Sequence, residues 1–185
     1  MNIANIITLS RLIPVPFIFL FMESNPAIAL ILFVTSMGLD LIDGMVARKL
    51  KTESRMGIFL DPMVDKITIN SILIYLSVVN IIPYWMTILN IVREFAVQAI
   101  RSIAPCKGIV LKTGMLNKSK LVLQTLTILL VFAYLLGVPY TKGTYVYMMG
   151  FTLFIAYLSM TTLLYSNREI FNKPETNIKI KSDYD

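Results

Sequence analysis

The chain has 185 residues, of which 56% are apolar and 15% charged, more hydrophobic surface than one soluble domain of this length buries. A mean hydropathy of +0.71 makes the bilayer the solvent for much of it. One cysteine excludes an internal disulfide or cysteine-rich zinc site, and the absence of histidine excludes histidine triads, histidine metal sites and phosphohistidine chemistry. Catalysis, if any, rests on carboxylates, lysine, arginine or hydroxyls.

Runs of about 20 mainly apolar residues, the length that crosses roughly 30 Å of hydrocarbon, fall at 4–22, 26–48, 57–79, 83–102, 119–137 and 144–165. The predicted architecture is all-α: a polytopic integral membrane protein with six transmembrane helices. Glu23 to Pro26, Lys49 to Met56, Asn80 to Pro83, Ile103 to Lys118 and Gly137 to Gly143 punctuate the spans. Residues 1–171 then form one membrane domain, and the polar segment 172–185, which contains Pro174, a disordered tail.

Taking the gaps alternately, one side of the membrane receives Arg48, Lys49, Lys51, Arg55, Arg101, Lys107, Lys112, Lys118, Lys120, Arg168 and the tail lysines. The other receives only Lys142. Cytoplasmic flanks accumulate positive charge, so both termini are expected in the cytoplasm. The net charge of +6 is then a topology signal and an attraction to anionic headgroups, with no nucleic-acid partner implied. No signal peptide is expected, since no lysine or arginine precedes the first span.

Four acids interrupt the end of the second span and the start of the third: Asp40, Asp43, Asp61 and Asp65. Each is costly at membrane depth unless compensated. On a helix Asp40, Asp43, Gly44 and Ala47 share one face, and Gly57, Asp61 and Asp65 recur every four residues on the next. A short basic connection makes the two helices antiparallel neighbours, so the acidic stripes can face each other. A third span that starts near Ile58 tolerates Pro62 in its first turn and sets Asp61 at a helix N-terminus. Clustered carboxylates repel, and divalent cations relieve the repulsion. Oxygen ligands alone point to Mg²⁺ or Mn²⁺, and four carboxylates suffice for two ions of a phosphoryl-transfer site. The structural alternative has the acids pairing with Arg48, Arg55 or Lys66. The small residues Gly44, Ala47 and Gly57, which admit a ligand or a close backbone, favour the site.

From Asp40 the sequence DLIDGMVARKLKTESRMGIFLDPMVD fits DxxDGxxAR, eight residues, then GxxxDxxxD, without gap or substitution. It resembles the signature of the CDP-alcohol phosphotransferases. Asn5, Thr8 and Arg11 are similar to the NxxTxxR of the phosphatidylglycerophosphate synthases in that family, and Arg93, Glu94 and Phe95 to the REF of their fourth helix. The resemblance implies a bacterial cytoplasmic-membrane enzyme, a homodimer, whose site opens to the cytoplasm and passes the phosphatidyl group of CDP-diacylglycerol to an alcohol, releasing CMP. Carried over, Asp40, Asp43, Asp61 and Asp65 would hold two metals and Asp65 would also be the general base. Asn5, Thr8, Asp40, Asp43, Gly44, Ala47, Arg48 and Gly57 would line the donor pocket.

The acceptor suggested is glycerol 3-phosphate, whose dianion needs fixed cations. Arg11, Arg55, Arg93, Arg101, Lys118 and Lys120 are the candidates. Arg93 stands out as an arginine inside an apolar span that shares a helix face with Arg101. The GKxKT segment usual in these synthases is here Asn117-Lys118-Ser119-Lys120-Leu121, which keeps both lysines and loses the glycine and threonine. Inositol phosphate, serine or another alcohol would use the same metal site. A cation or proton transporter is the competing class, disfavoured because the outer halves of the spans hold almost no ionisable groups.

Overall fold

The computed structural model describes the backbone of residues 9–50, 55–107 and 116–168, with the side chains of 9–39, 63–104, 107 and 119–168. Six long helices follow one another: α1 (Pro14–Ser24), α2 (Pro26–Leu50), α3 (Arg55–Val78), α4 (Tyr84–Cys106), α5 (Leu116–Leu135) and α6 (Thr144–Ser166). No strand occurs among the described residues. The expected tail 172–185 and the first residues of the chain lie outside them.

Local chemistry explains the breaks. Between α1 and α2, Asn25 accepts the Ile28 N–H on its side chain at 3.3 Å with Pro26 following it, an N-cap and N1 proline. α3 closes with Asn80 in the left-handed region, φ 58°. The Ile81 N–H reaches the Leu76 carbonyl at 2.9 Å, the Asn80 N–H reaches that of Ser77 at 3.1 Å, and Pro83 blocks any continuation. Gly137, φ 78°, ends α5 in the same way, with Val138 N–H on the Ala133 carbonyl at 3.0 Å.

One expectation is corrected here. α3 begins at Arg55 rather than near Ile58, so Pro62 lies within the helix and Asp61 falls beyond its first turn. The dipole contribution expected for Asp61 fades over that distance.

α1 packs along α2 and α5 along α6; α3 touches α1, α4 and α5, while α4 also rests on α6 and α2 on α5. Aromatic pairs pin the seams. Phe33 meets Phe132 between α2 and α5 at 5.8 Å between ring centroids, Tyr134 meets Tyr145 between α5 and α6 at 5.2 Å, and Phe19 stacks on Tyr75 between α1 and α3 at 5.1 Å.

The distribution of polarity inverts that of a water-soluble bundle. Phe17, Leu20, Ile31, Ile74, Val92, Phe95, Phe154 and Leu158 face outward, while Ser36, Thr68, Asn90, Arg93, Gln124, Thr152 and Ser159 are buried. Among the described residues one helix, Thr144–Ser166, is by itself long and apolar enough to cross a bilayer; Pro14–Ser24 is apolar and shorter, and the described parts of α2 and α5, Pro26–Leu39 and Ser119–Leu135, are apolar too. The inner faces of α3 and α4 carry Asp65, Lys66, Asn70, Asn90, Arg93 and Glu94.

Candidate active site

Those inner faces enclose a cleft of about 130 Å³ between α3, α4 and α5. Helical spacing builds it: Asp65, Lys66, Ile69 and Asn70 on α3, Arg93, Glu94, Val97 and Arg101 on α4, Lys120 and Gln124 on α5, each set recurring every three or four residues. Lys66, Arg93, Arg101 and Lys120 oppose the carboxylates Asp65 and Glu94, which leaves the lining positive.

Each charged group has a defined setting. Glu94 is the shared anion, paired with Lys120 and lying 3.6 Å from Lys66 Nζ and 3.7 Å from Arg93 Nη1. Lys66 also donates to Gln98 Oε1 at 2.8 Å. Arg93 is buried and clamped by α6: its Nε donates to the Ala156 carbonyl at 3.0 Å and its Nη2 to Ser159 Oγ at 3.2 Å. The small residues Ala156 and Ser159 let α4 approach closely enough for that clamp. The Arg101 Nε is buried and has no hydrogen-bond partner among the described residues, a donor available to an anion in the cleft.

Asp65 contributes a carboxylate to this cleft from α3. Arg11 donates to its carboxylate, and Ser36 anchors the arginine by donating to the Arg11 carbonyl at 3.1 Å. The Asp65 side chain stays 18% exposed. Asp65 thus pairs with Arg11, whereas Lys66 turns to Glu94 and Gln98.

Of the expected site residues, the structure brings Asp65, Arg93, Arg101 and Lys120 to one cleft and sets Arg11 behind Asp65. Asp40, Asp43, Gly44, Ala47 and Arg48 lie on the helical backbone of α2, and Arg55, Gly57 and Asp61 on that of α3. Their side chains are outside the described residues, as are that of Lys118 and all of Asn5 and Thr8. Among the described residues no three carboxylate or cysteine side chains gather as metal ligands. Lys66, Asn70 and Gln124 are lining residues that spacing alone did not single out. Their signal was present as polar groups within apolar spans.

The chain belongs to the CDP-alcohol phosphatidyltransferase family, whose profile matches residues 1–164. Among its relatives is the CDP-diacylglycerol--glycerol-3-phosphate 3-phosphatidyltransferase of Bacillus subtilis, 36% identical over 135 residues, 64% of this chain and 70% of the relative. A protein of the same name from Wigglesworthia glossinidia brevipalpis is 34% identical over 141 residues, 69% of this chain and 75% of the relative. The probable phosphatidylglycerophosphate synthase of Mycobacterium tuberculosis is 34% identical over 116 residues, 59% of this chain and 56% of the relative.

Proposed function

We propose that the chain transfers the phosphatidyl group of CDP-diacylglycerol to glycerol 3-phosphate, forming phosphatidylglycerol phosphate and CMP at the inner face of a bacterial cytoplasmic membrane. The observation that carries this reading is the continuity of Asp65 with the cationic cleft. A phosphate paired with Lys66, Arg93, Arg101 and Lys120 leaves the hydroxyl end of the same small molecule free to reach the carboxylate. The names of the relatives point the same way.

The donor set suits hard divalent cations: Asp40, Asp43, Asp61 and Asp65 offer only oxygen, and the chain has no histidine. Two Mg²⁺ or Mn²⁺ ions, when bound, would supply charge neutralisation at the donor pyrophosphate and at the departing CMP. The chain's own residues do the rest. The acceptor hydroxyl oxygen bonds to the phosphorus beside diacylglycerol, the bond from that phosphorus to the CMP oxygen breaks, and the hydroxyl proton passes to Asp65. Arg11 donates to that carboxylate and fixes its position. Arg93, immobilised by Ala156 and Ser159, offers a charge that needs no reorganisation when the phosphate arrives. Gly44, Ala47 and Gly57 leave space for the nucleotide, with Arg48, Asn5 and Thr8 as its polar contacts, and Arg55 and Lys118 add positive charge for the acceptor phosphate.

Six membrane-spanning helices with both termini cytoplasmic accord with the lysine and arginine distribution and with the outward-facing apolar residues. The acyl chains remain in lipid, and the protein acts as a homodimer.

The test is turnover by purified protein given CDP-diacylglycerol, Mg²⁺ or Mn²⁺, and a panel of alcohols. Glycerol 3-phosphate is expected to support CMP release, and Asp61→Asn or EDTA to abolish it. Turnover with serine alone would reject the acceptor; turnover undiminished by EDTA would reject the metals.

A further inference from the structure

Three amide side chains run in file across the bundle beside the cations. Gln124 Nε2 on α5 donates to Asn90 Oδ1 on α4 at 2.9 Å, and Asn90 Nδ2 donates to Asn70 Oδ1 on α3 at 2.9 Å. Asn90 is fully buried, whereas both ends of the file, Asn70 and Gln124, line the cleft. Each amide has a donor end and an acceptor end, so two links in one direction leave the Asn70 amino group and the Gln124 carbonyl over. Neither has a further partner among the described residues. Turning all three amides round would exchange the two ends and leave the same pair: one donor and one acceptor.

A secondary hydroxyl is at once a donor and an acceptor. We propose that Asn70 and Gln124 read the non-reacting hydroxyl of the phosphorylated polyol, which makes them specificity-determining residues for the acceptor. The inference rests on the proposed reaction. In that reaction the phosphate is held by Arg93, Arg101 and Lys120 and the terminal hydroxyl is deprotonated by Asp65. The middle carbon of a three-carbon acceptor then falls between them, along the wall that Asn70 and Gln124 supply, one helical turn beyond Lys66 and Lys120 respectively. Asn90 holds the two readers in register from behind. Amides that served only to join α3, α4 and α5 would meet the same interhelical need, but they would be indifferent to the hydroxyl count of the acceptor.

The experiment compares glycerol 3-phosphate with 3-hydroxypropyl phosphate, which keeps the phosphate and the reacting hydroxyl and lacks only the middle one. The wild-type enzyme is expected to prefer glycerol 3-phosphate in kcat/KM by on the order of 10- to 100-fold, because the deoxy analogue leaves a cleft donor and acceptor unpaired. Asn70→Ala and Gln124→Met are expected to bring the ratio to within about threefold of unity by losing efficiency only with glycerol 3-phosphate. Equal use of the two acceptors by the wild type overturns the inference without recourse to any variant, and so does a wild-type ratio retained in either variant. Failure to turn over either phosphate ester would instead strike at the proposed reaction itself.

Discussion

Glu94→Gln preserves side-chain volume and removes the one negative charge that Lys120, Lys66 and Arg93 share. Lys120 is only 3% exposed, so the substitution strands a buried cation. Breaking a buried pair from one side costs about 3 kcal/mol at the lower end of the usual range, which for a chain of this size is ~6–12 °C in Tm. The same change makes the cleft one charge more positive, so a dianion should bind more tightly. An anion held at a hundred times its Kd returns about 2.7 kcal/mol, enough to offset most of the loss. Thermal unfolding in detergent, with and without saturating glycerol 3-phosphate, is the assay. The variant is expected to melt well below the wild type when free and to gain more from ligand. A variant that melts with the wild type, or whose ligand shift equals it, would refute Glu94 as the counter-charge of this cleft.

Arg93→Ala should raise the acceptor KM by roughly 10- to 100-fold with a smaller effect on kcat, and Arg93→Lys should rescue little, because an ammonium cannot reproduce the fork onto Ala156 and Ser159; steady-state kinetics decide. Phe33→Ala opens a cavity beside Phe132 and should cost about 3 kcal/mol, whereas Phe151→Ala, at an exposed site, should stay within about 0.5 kcal/mol; unfolding in detergent compares them. In spheroplasts of the Cys106→Ser variant, an impermeant thiol reagent should label Tyr140→Cys from outside, while Cys106 of the parent chain should react only after permeabilisation. Outside labelling of Cys106 would reverse the topology.

The helices were legible in the sequence because their determinants are local. Apolar runs set their lengths, and Asn25, Asn80 and Gly137 end them through contacts within a few residues. The start of α3 was less legible, since a proline at Pro62 reads as a first-turn residue and yet stands within the helix. The shared face of Arg93 and Arg101 could be read from spacing. Their partners could not. Arg11, which precedes α1, pairs with Asp65 on α3, while Glu94 with Lys120 and Gln124 with Asn90 join different helices, and helical periodicity says which face a side chain occupies without saying which neighbour covers it. Asn70, Asn90 and Gln124 were visible only as polar residues in apolar spans. Their alignment into one file is a property of how α3, α4 and α5 pack.

The most direct measurement incubates the purified protein in mixed micelles with CDP-diacylglycerol, glycerol 3-phosphate and Mg²⁺ or Mn²⁺ and quantifies CMP and lipid product together. The expected result is one CMP per phosphatidylglycerol phosphate, with neither formed when the acceptor is omitted or when Asp65 is replaced by Asn. CMP release without a new phospholipid, or lipid product undiminished in Asp65→Asn, would contradict a transferase built on the carboxylate at the rim of the cationic cleft.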